Sequence, residues 1–111
     1  MKYEVILSQD AKADLRAIFR YIAYDLQSPH NAASQIERLE EAIIALDDLP
    51  ERFRVYDKEP WKSRNLRIMP VDHYLVFYFP QHENKIISIV RVLYGSQDID
   101  RQLRRVLIQN T

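Results

Sequence analysis

From Gln9 to Leu46 the chain carries two apolar stripes of helical spacing separated by a proline, and no single layer of structure satisfies both. Ala11, Leu15, Ile18, Ile22 and Leu26 recur at i, i+4 and i+7 in "QDAKADLRAIFRYIAYDL", with Lys12, Arg16 and Arg20 on other faces. Ser8 offers a hydroxyl at the N-cap of this helix. "SPHNAA" then starts a second helix, with Ser28 as its cap and Pro29 at the first position, where no amide donor is needed. Ala32, Ile36, Leu39, Ile43 and Leu46 form its stripe, and Pro50 disfavours helical geometry at Leu49, so the helix should stop there. Helices joined by about two residues pack antiparallel. Their stripes must therefore face a common third layer.

The remaining chain supplies that layer. "YEVILS" at 3–8 is short, apolar and β-branched, and similar runs at about 65–71, 73–80 and 85–94 read as strands, with "PQHEN" turning between the last two. Gly95, the only glycine, ends the sheet and is expected at positive φ. "SQDIDRQLRRVLIQ" predicts a short terminal helix with Ile99, Leu103, Val106 and Leu107 on one side. The expected fold is α+β: an N-terminal strand, an antiparallel helical hairpin, a three-stranded antiparallel meander completing a four-stranded sheet, and a C-terminal helix. No linker, repeat or low-complexity segment divides residues 1–111, so one domain is expected.

Two arginines, Arg67 and Arg91, interrupt the apolar strands. Alternation along the second strand assigns Leu66 and Ile68 to the helices and Arg67 and Met69 to the other side. On the fourth strand Ile86, Val90 and Val92 make the better core set, leaving Ile87, Ile89, Arg91 and Leu93 outside. Both arginines are then expected on one face, opposite the hairpin, covered in part by the terminal helix or by a partner's segment.

Composition narrows the function classes. With 47% hydrophobic and 29% charged residues and no long apolar run, a soluble domain without a membrane span is expected. "MKYEVILSQDAKAD" turns charged too soon for a signal peptide, and the absence of cysteine fits a reducing cytoplasm and excludes thiolate metal sites. His30, His73 and His82 lack ligand-like spacing, so no metal is expected. A single glycine cannot build a phosphate-binding loop, and no cofactor is expected. Residues 1–50 carry 5 Lys/Arg against 9 Asp/Glu, and residues 51–111 carry 11 against 7. The basic C-terminal half suits an acidic protein or a polyanion. In "PERFRVYDKEPWKSRN", Trp61 lies among Arg54, Lys58, Lys62 and Arg64, which suits a protein hot spot, a nucleic acid, or a loop stapled to the core by Trp61 and Phe53.

"LSQDAKADLRAIFRYIA", "LRIMPVDHYLVFYF" and "IISIVRVLYGSQD", in that order and spacing over residues 3–103, resemble the RelE/ParE superfamily of bacterial toxins from type II toxin–antitoxin pairs. The resemblance implies a toxin neutralised by a cognate antitoxin. RelE-like members cut mRNA on the ribosome with Lys and Arg around the scissile phosphate. Here Leu75 stands where an arginine often follows the tyrosine of the third strand, Gly95 where another usually follows the fourth, and Asn65 at a basic position beside Arg67. Tyr94 occupies a position where many members have histidine. The pattern sides with the ParE-like branch, which binds DNA gyrase. On that reading Trp61, Arg64, Arg67, Arg91 and Tyr94 are candidate partner-binding residues and no residue is catalytic. The alternative is a ribosome-dependent mRNA endonuclease using Arg67, Arg91, Tyr94 and His73. A third possibility is a degenerate toxin that retains only antitoxin binding.

Overall fold

The computed structural model describes residues 2–109, with side chains described through Val106. Leu107, expected on the buried side of the terminal helix, lies outside those side chains. Strand β1 (Glu4–Leu7) leads into helix α1 (Gln9–Arg20), where the Ser8 hydroxyl accepts from Ala11 N–H at 3.0 Å as an N-cap should. A π turn (Tyr21–Asp25) ends α1, and α2 (Pro29–Ile44) follows with Pro29 in its first turn. Ser28 does not cap α2 with its side chain. After Ile44 a single 3₁₀ turn, Ala45–Asp47, closes the hairpin, and Leu49 takes φ 53°. The α-helix thus ends five residues before Leu49. Strands β2 (Arg67–Val71), β3 (Tyr74–Gln81) and β4 (Ile86–Tyr94) and helix α3 (Ile99–Gln109) complete the chain.

The sheet order is β1-β4-β3-β2, with β1 parallel to β4 and the other pairs antiparallel. Both of its faces are buried. Against the hairpin lie Met69, Val76, Tyr78, Ile87, Ile89 and Val92, packed with Ala11, Leu39, Ile43 and Leu46. Against α3 and the 53–66 segment lie Leu66, Ile68, Phe77, Val90 and Leu93, packed with Trp61, Leu103 and Val106. Each fully buried aliphatic or aromatic side chain stabilises the fold by about 1.5–3 kcal/mol relative to exposure.

This assignment corrects the strand parity expected from alternation. Leu66, Ile68 and Val90 face α3 rather than the hairpin, and Ile87 and Ile89 face the hairpin rather than the outside. Arg67 and Arg91 do not share a face either: Arg67 sits across from Tyr78 of the hairpin-side core, Arg91 across from Phe77 of the other. Two causes are visible. A sheet covered on both sides has apolar residues at odd and even positions alike, so hydrophobicity cannot set its parity. A register shift between Phe77 and Tyr78 also pairs them with Arg91 and Ile89, leaving Val90 as an extra residue that reverses the alternation within β4.

Gly95 does not adopt positive φ. Its amide donates to the His73 carbonyl at 2.9 Å, and a Cβ there would meet that same oxygen at 3.3 Å. Its value is close approach between the β2–β3 turn and the end of β4.

Candidate functional site

A groove of about 570 Å³ opens between the C-terminal end of α1 and the paired ends of β3 and β4. Its shape originates in the π turn. Leu26 N–H reaches back to the Tyr21 carbonyl at 3.0 Å, and Gln27 then takes φ 53°. A regular helix would carry Leu26 on the stripe of Leu15, Ile18 and Ile22. The wider turn instead leaves Leu26 exposed at the groove, which corrects its expected burial. Tyr21 lines the same mouth, and Tyr24, 70% exposed, projects from the turn.

The opposite wall follows from strand pairing. Tyr74 is aligned with Tyr94, and their ring centroids lie 5.6 Å apart. The two-residue turn Asp72–His73, with Asp72 at φ 55°, brings the His73 ring edge-on to Tyr94 at 6.4 Å. Burial, then the neighbouring Tyr94 and Tyr21, pushes the Tyr74 hydroxyl up from its ordinary pKa, so it stays protonated in neutral solution. Beside this turn, Arg38 donates to Asp72 at 2.9 Å and Gln35 does so at 2.9 Å, which holds the Asp72 carboxyl below its usual range. Besides the hydroxyls of Tyr21, Tyr74 and Tyr94, the polar side chains on the groove wall are Asp14, Gln35, His73 and Gln97, and among the described residues neither lysine nor arginine lines it.

Of the residues singled out from sequence, the fold brings His73 and Tyr94 together and disperses the rest. Arg91 is 5% exposed. Its Nε and Nη2 each donate to Asp14 at 2.8 Å, and Nη1 donates to the Gln102 carbonyl at 3.0 Å. The bonds to Asp14, chiefly, raise the guanidinium pKa further. Arg67 bonds to the Glu51 and Phe53 carbonyls at 3.0 and 2.8 Å, and to the side chains of Glu51 and Asn65 at 3.1 and 3.0 Å. It fastens the 51–53 segment over the edge of β2. Trp61 is 4% exposed within the α3-side core, whereas Arg64 is exposed. Among the described residues no cluster of His, Cys, Asp or Glu has the form of a metal site. No described helix is long and apolar enough to cross a membrane.

A family profile described as "ParE toxin of type II toxin-antitoxin system, parDE" matches residues 5–99. The chain belongs to the ParE toxin family. The ParE fold recurs in the solved chromosomal ParDE system of P. aeruginosa, with TM-score 0.69 and 19% identity over 84% of this chain and 96% of that one. It is also similar to the toxin–antitoxin complex RelBE2 of Mycobacterium tuberculosis, with TM-score 0.60 and 20% identity over 85% and 99% of the two chains. A double mutant of the E. coli toxin RelE in the free state matches with TM-score 0.65 and 12% identity over 96% and 99%. No curated protein matches the chain. The groove of this chain lies among Tyr21, Leu26, Tyr74 and Gln97, none of which was named from sequence as a site residue. The signal that could have found Tyr21, Leu26 and Tyr74 is the aromatic density of "RYIAYDL" at the end of the first helix and "DHYLVFYF" at the start of the third strand; Gln97 carries no such signal.

Proposed function

We propose that this ParE-family toxin acts in the cytoplasm by binding a protein, DNA gyrase, and that a cognate antitoxin silences it by laying an apolar segment into the groove between α1 and the β3–β4 ends. The observation that carries this reading is the charge of the groove: among the described residues no lysine or arginine lines it, and its carboxylate, Asp14, is already paired with Arg91. Metal-free RNA cleavage needs a base, an acid and fixed cations around the phosphate. His73 and Tyr94 offer the first two, but Arg67 and Arg91 are committed to acceptors inside the chain. Exposed Tyr21, Leu26 and Tyr94 instead suit a protein segment, since tyrosine is among the residues that anchor interfaces. The ParDE system and the RelBE2 toxin–antitoxin complex among the similar structures support an antitoxin as one such partner.

Supercoiling by purified gyrase should slow with toxin concentration, and mRNA on translating ribosomes should stay intact. Codon-specific cuts that vanish in Arg67→Ala or Arg91→Ala would instead establish an endonuclease.

A further inference from the structure

The solvent side of the helical hairpin carries two opposite rows of charge. On α1, Lys12, Arg16 and Arg20 repeat every fourth residue and are all exposed. On α2, Glu37, Glu40 and Glu41 are exposed, followed one turn later by Ile44, 62% exposed. Among the described residues none of these six charges has a side-chain hydrogen bond or an ion pair. Like charges at i, i+4 destabilise the helix that bears them, so each row carries a repulsion that an opposite row would remove. The neighbouring helix of the same chain does not remove it. Other exposed ions of this protein do find partners, as Arg38 with Asp72 and Lys58 with Asp100.

We propose that a second copy of this chain docks on the hairpin face, in an isologous dimer that sets the basic row of α1 against the acidic row of α2 from its partner. The helices run antiparallel, so a two-fold axis parallel to them and lying in the interface places each α1 over the other copy's α2. Each row then meets one opposite row, in two equivalent contacts. Lys12 to Arg20 spans about 12 Å, while the acids from Glu37 to Glu41 span about 6 Å and Ile44 extends that facing stretch to about 10 Å at 1.5 Å per residue. Ile44, at the base of the acidic row, supplies the apolar contact that bare ion pairs lack. This face lies outside the groove, so the dimer does not depend on what the groove binds.

Sedimentation of the purified full chain tests it. The chain should dimerise in dilute buffer, and raising salt from about 0.01 to about 1 M, which shortens screening from roughly 30 to 3 Å, should weaken the dimer roughly tenfold or more. Glu37→Lys/Glu41→Lys leaves both helices basic, and Lys12→Glu/Arg16→Glu leaves both acidic. Each variant alone should be monomeric, and an equimolar mixture of the two should dimerise. A native chain that sediments as a monomer at every salt overturns the proposal. So does a dimer that either variant leaves intact, or a mixture that stays monomeric.

Discussion

Asp14 and Arg91, 77 residues apart in the chain, meet through two parallel bonds of 2.8 Å, and Asp14 Oδ2, which takes the Nε bond, also accepts the Val92 amide at 2.9 Å. β1 covers β4 only as far as Ile89. Beyond it, the Ser8 amide bonds the Ile89 carbonyl, the Ser8 hydroxyl bonds the Val90 carbonyl, and Asp14 takes up Val92. Ser8 and Asp14 thus continue the work of a strand that has ended, and the guanidinium balances the charge of the carboxylate there.

Breaking that pair from the acid side strands a buried cation. Asp14→Ala should destabilise the chain by about 3–5 kcal/mol, because the surviving Arg91 keeps its desolvation without its partner. Denaturant unfolding measures this directly. A loss below about 1 kcal/mol would mean that water reaches Arg91 freely.

Tyr78 is fully buried, its hydroxyl donates to the Pro50 carbonyl at 2.7 Å, and burial pushes its pKa up to about 12. The folded state therefore holds this proton more tightly than the unfolded state, where tyrosine titrates near 10. Its contribution is fully present below pH 10 and is lost as pH rises from about 10 through 12. Tyr78→Phe should cost about 1 kcal/mol at neutral pH and show a shallower alkaline decline than the native chain. Equal declines, read from melting temperatures across that range, would remove Tyr78 as the titrating group.

Arg67→Met should release the 51–53 segment without unfolding the sheet. The Tyr56 amide bonds the Leu66 carbonyl and the Ile68 amide bonds the Arg54 carbonyl, so these two bonds tie residues 54–56 to Leu66 and β2 directly after the segment that Arg67 fastens. Hydrogen exchange at Tyr56 and Ile68 should quicken in the variant, while Val76 in the middle of β3 keeps its protection. Unchanged exchange at both would show that the main-chain bonds alone hold the segment.

Tyr21→Ala and Tyr94→Ala remove exposed rings at the groove, so folding stability should shift by little, about 0.5 kcal/mol. Binding to the antitoxin should weaken by about 1–3 kcal/mol for each. Calorimetric titration with the product of the adjacent gene measures it. Native affinity in both variants would place the antitoxin elsewhere.

Element order was legible in the sequence because its signals are local. Ser8, Pro29 and the i, i+4 stripes mark α1 and α2 without reference to the rest of the fold. The side each strand presents was not, since Val76, Phe77 and Tyr78 are consecutive and all buried. His73 and Tyr94 were picked out individually, and their contact depends on the register that aligns Tyr74 with Tyr94. Arg91 was noticed as an anomaly inside a strand. Its partner Asp14 was not, because an acid on a helix beside Lys12 and Arg16 looks like ordinary surface charge until the helix is laid along the β4 edge.

The π turn at Tyr21–Asp25 makes the opening of the groove a matter of chain length. Deleting one residue there would let the hairpin rewind as plain α-helix, draw Leu26 back onto the buried stripe and close that wall, with the sheet untouched. With the antitoxin seated in this groove as proposed, insertions and deletions at this tip would exchange one antitoxin for another without altering a residue of either core cluster.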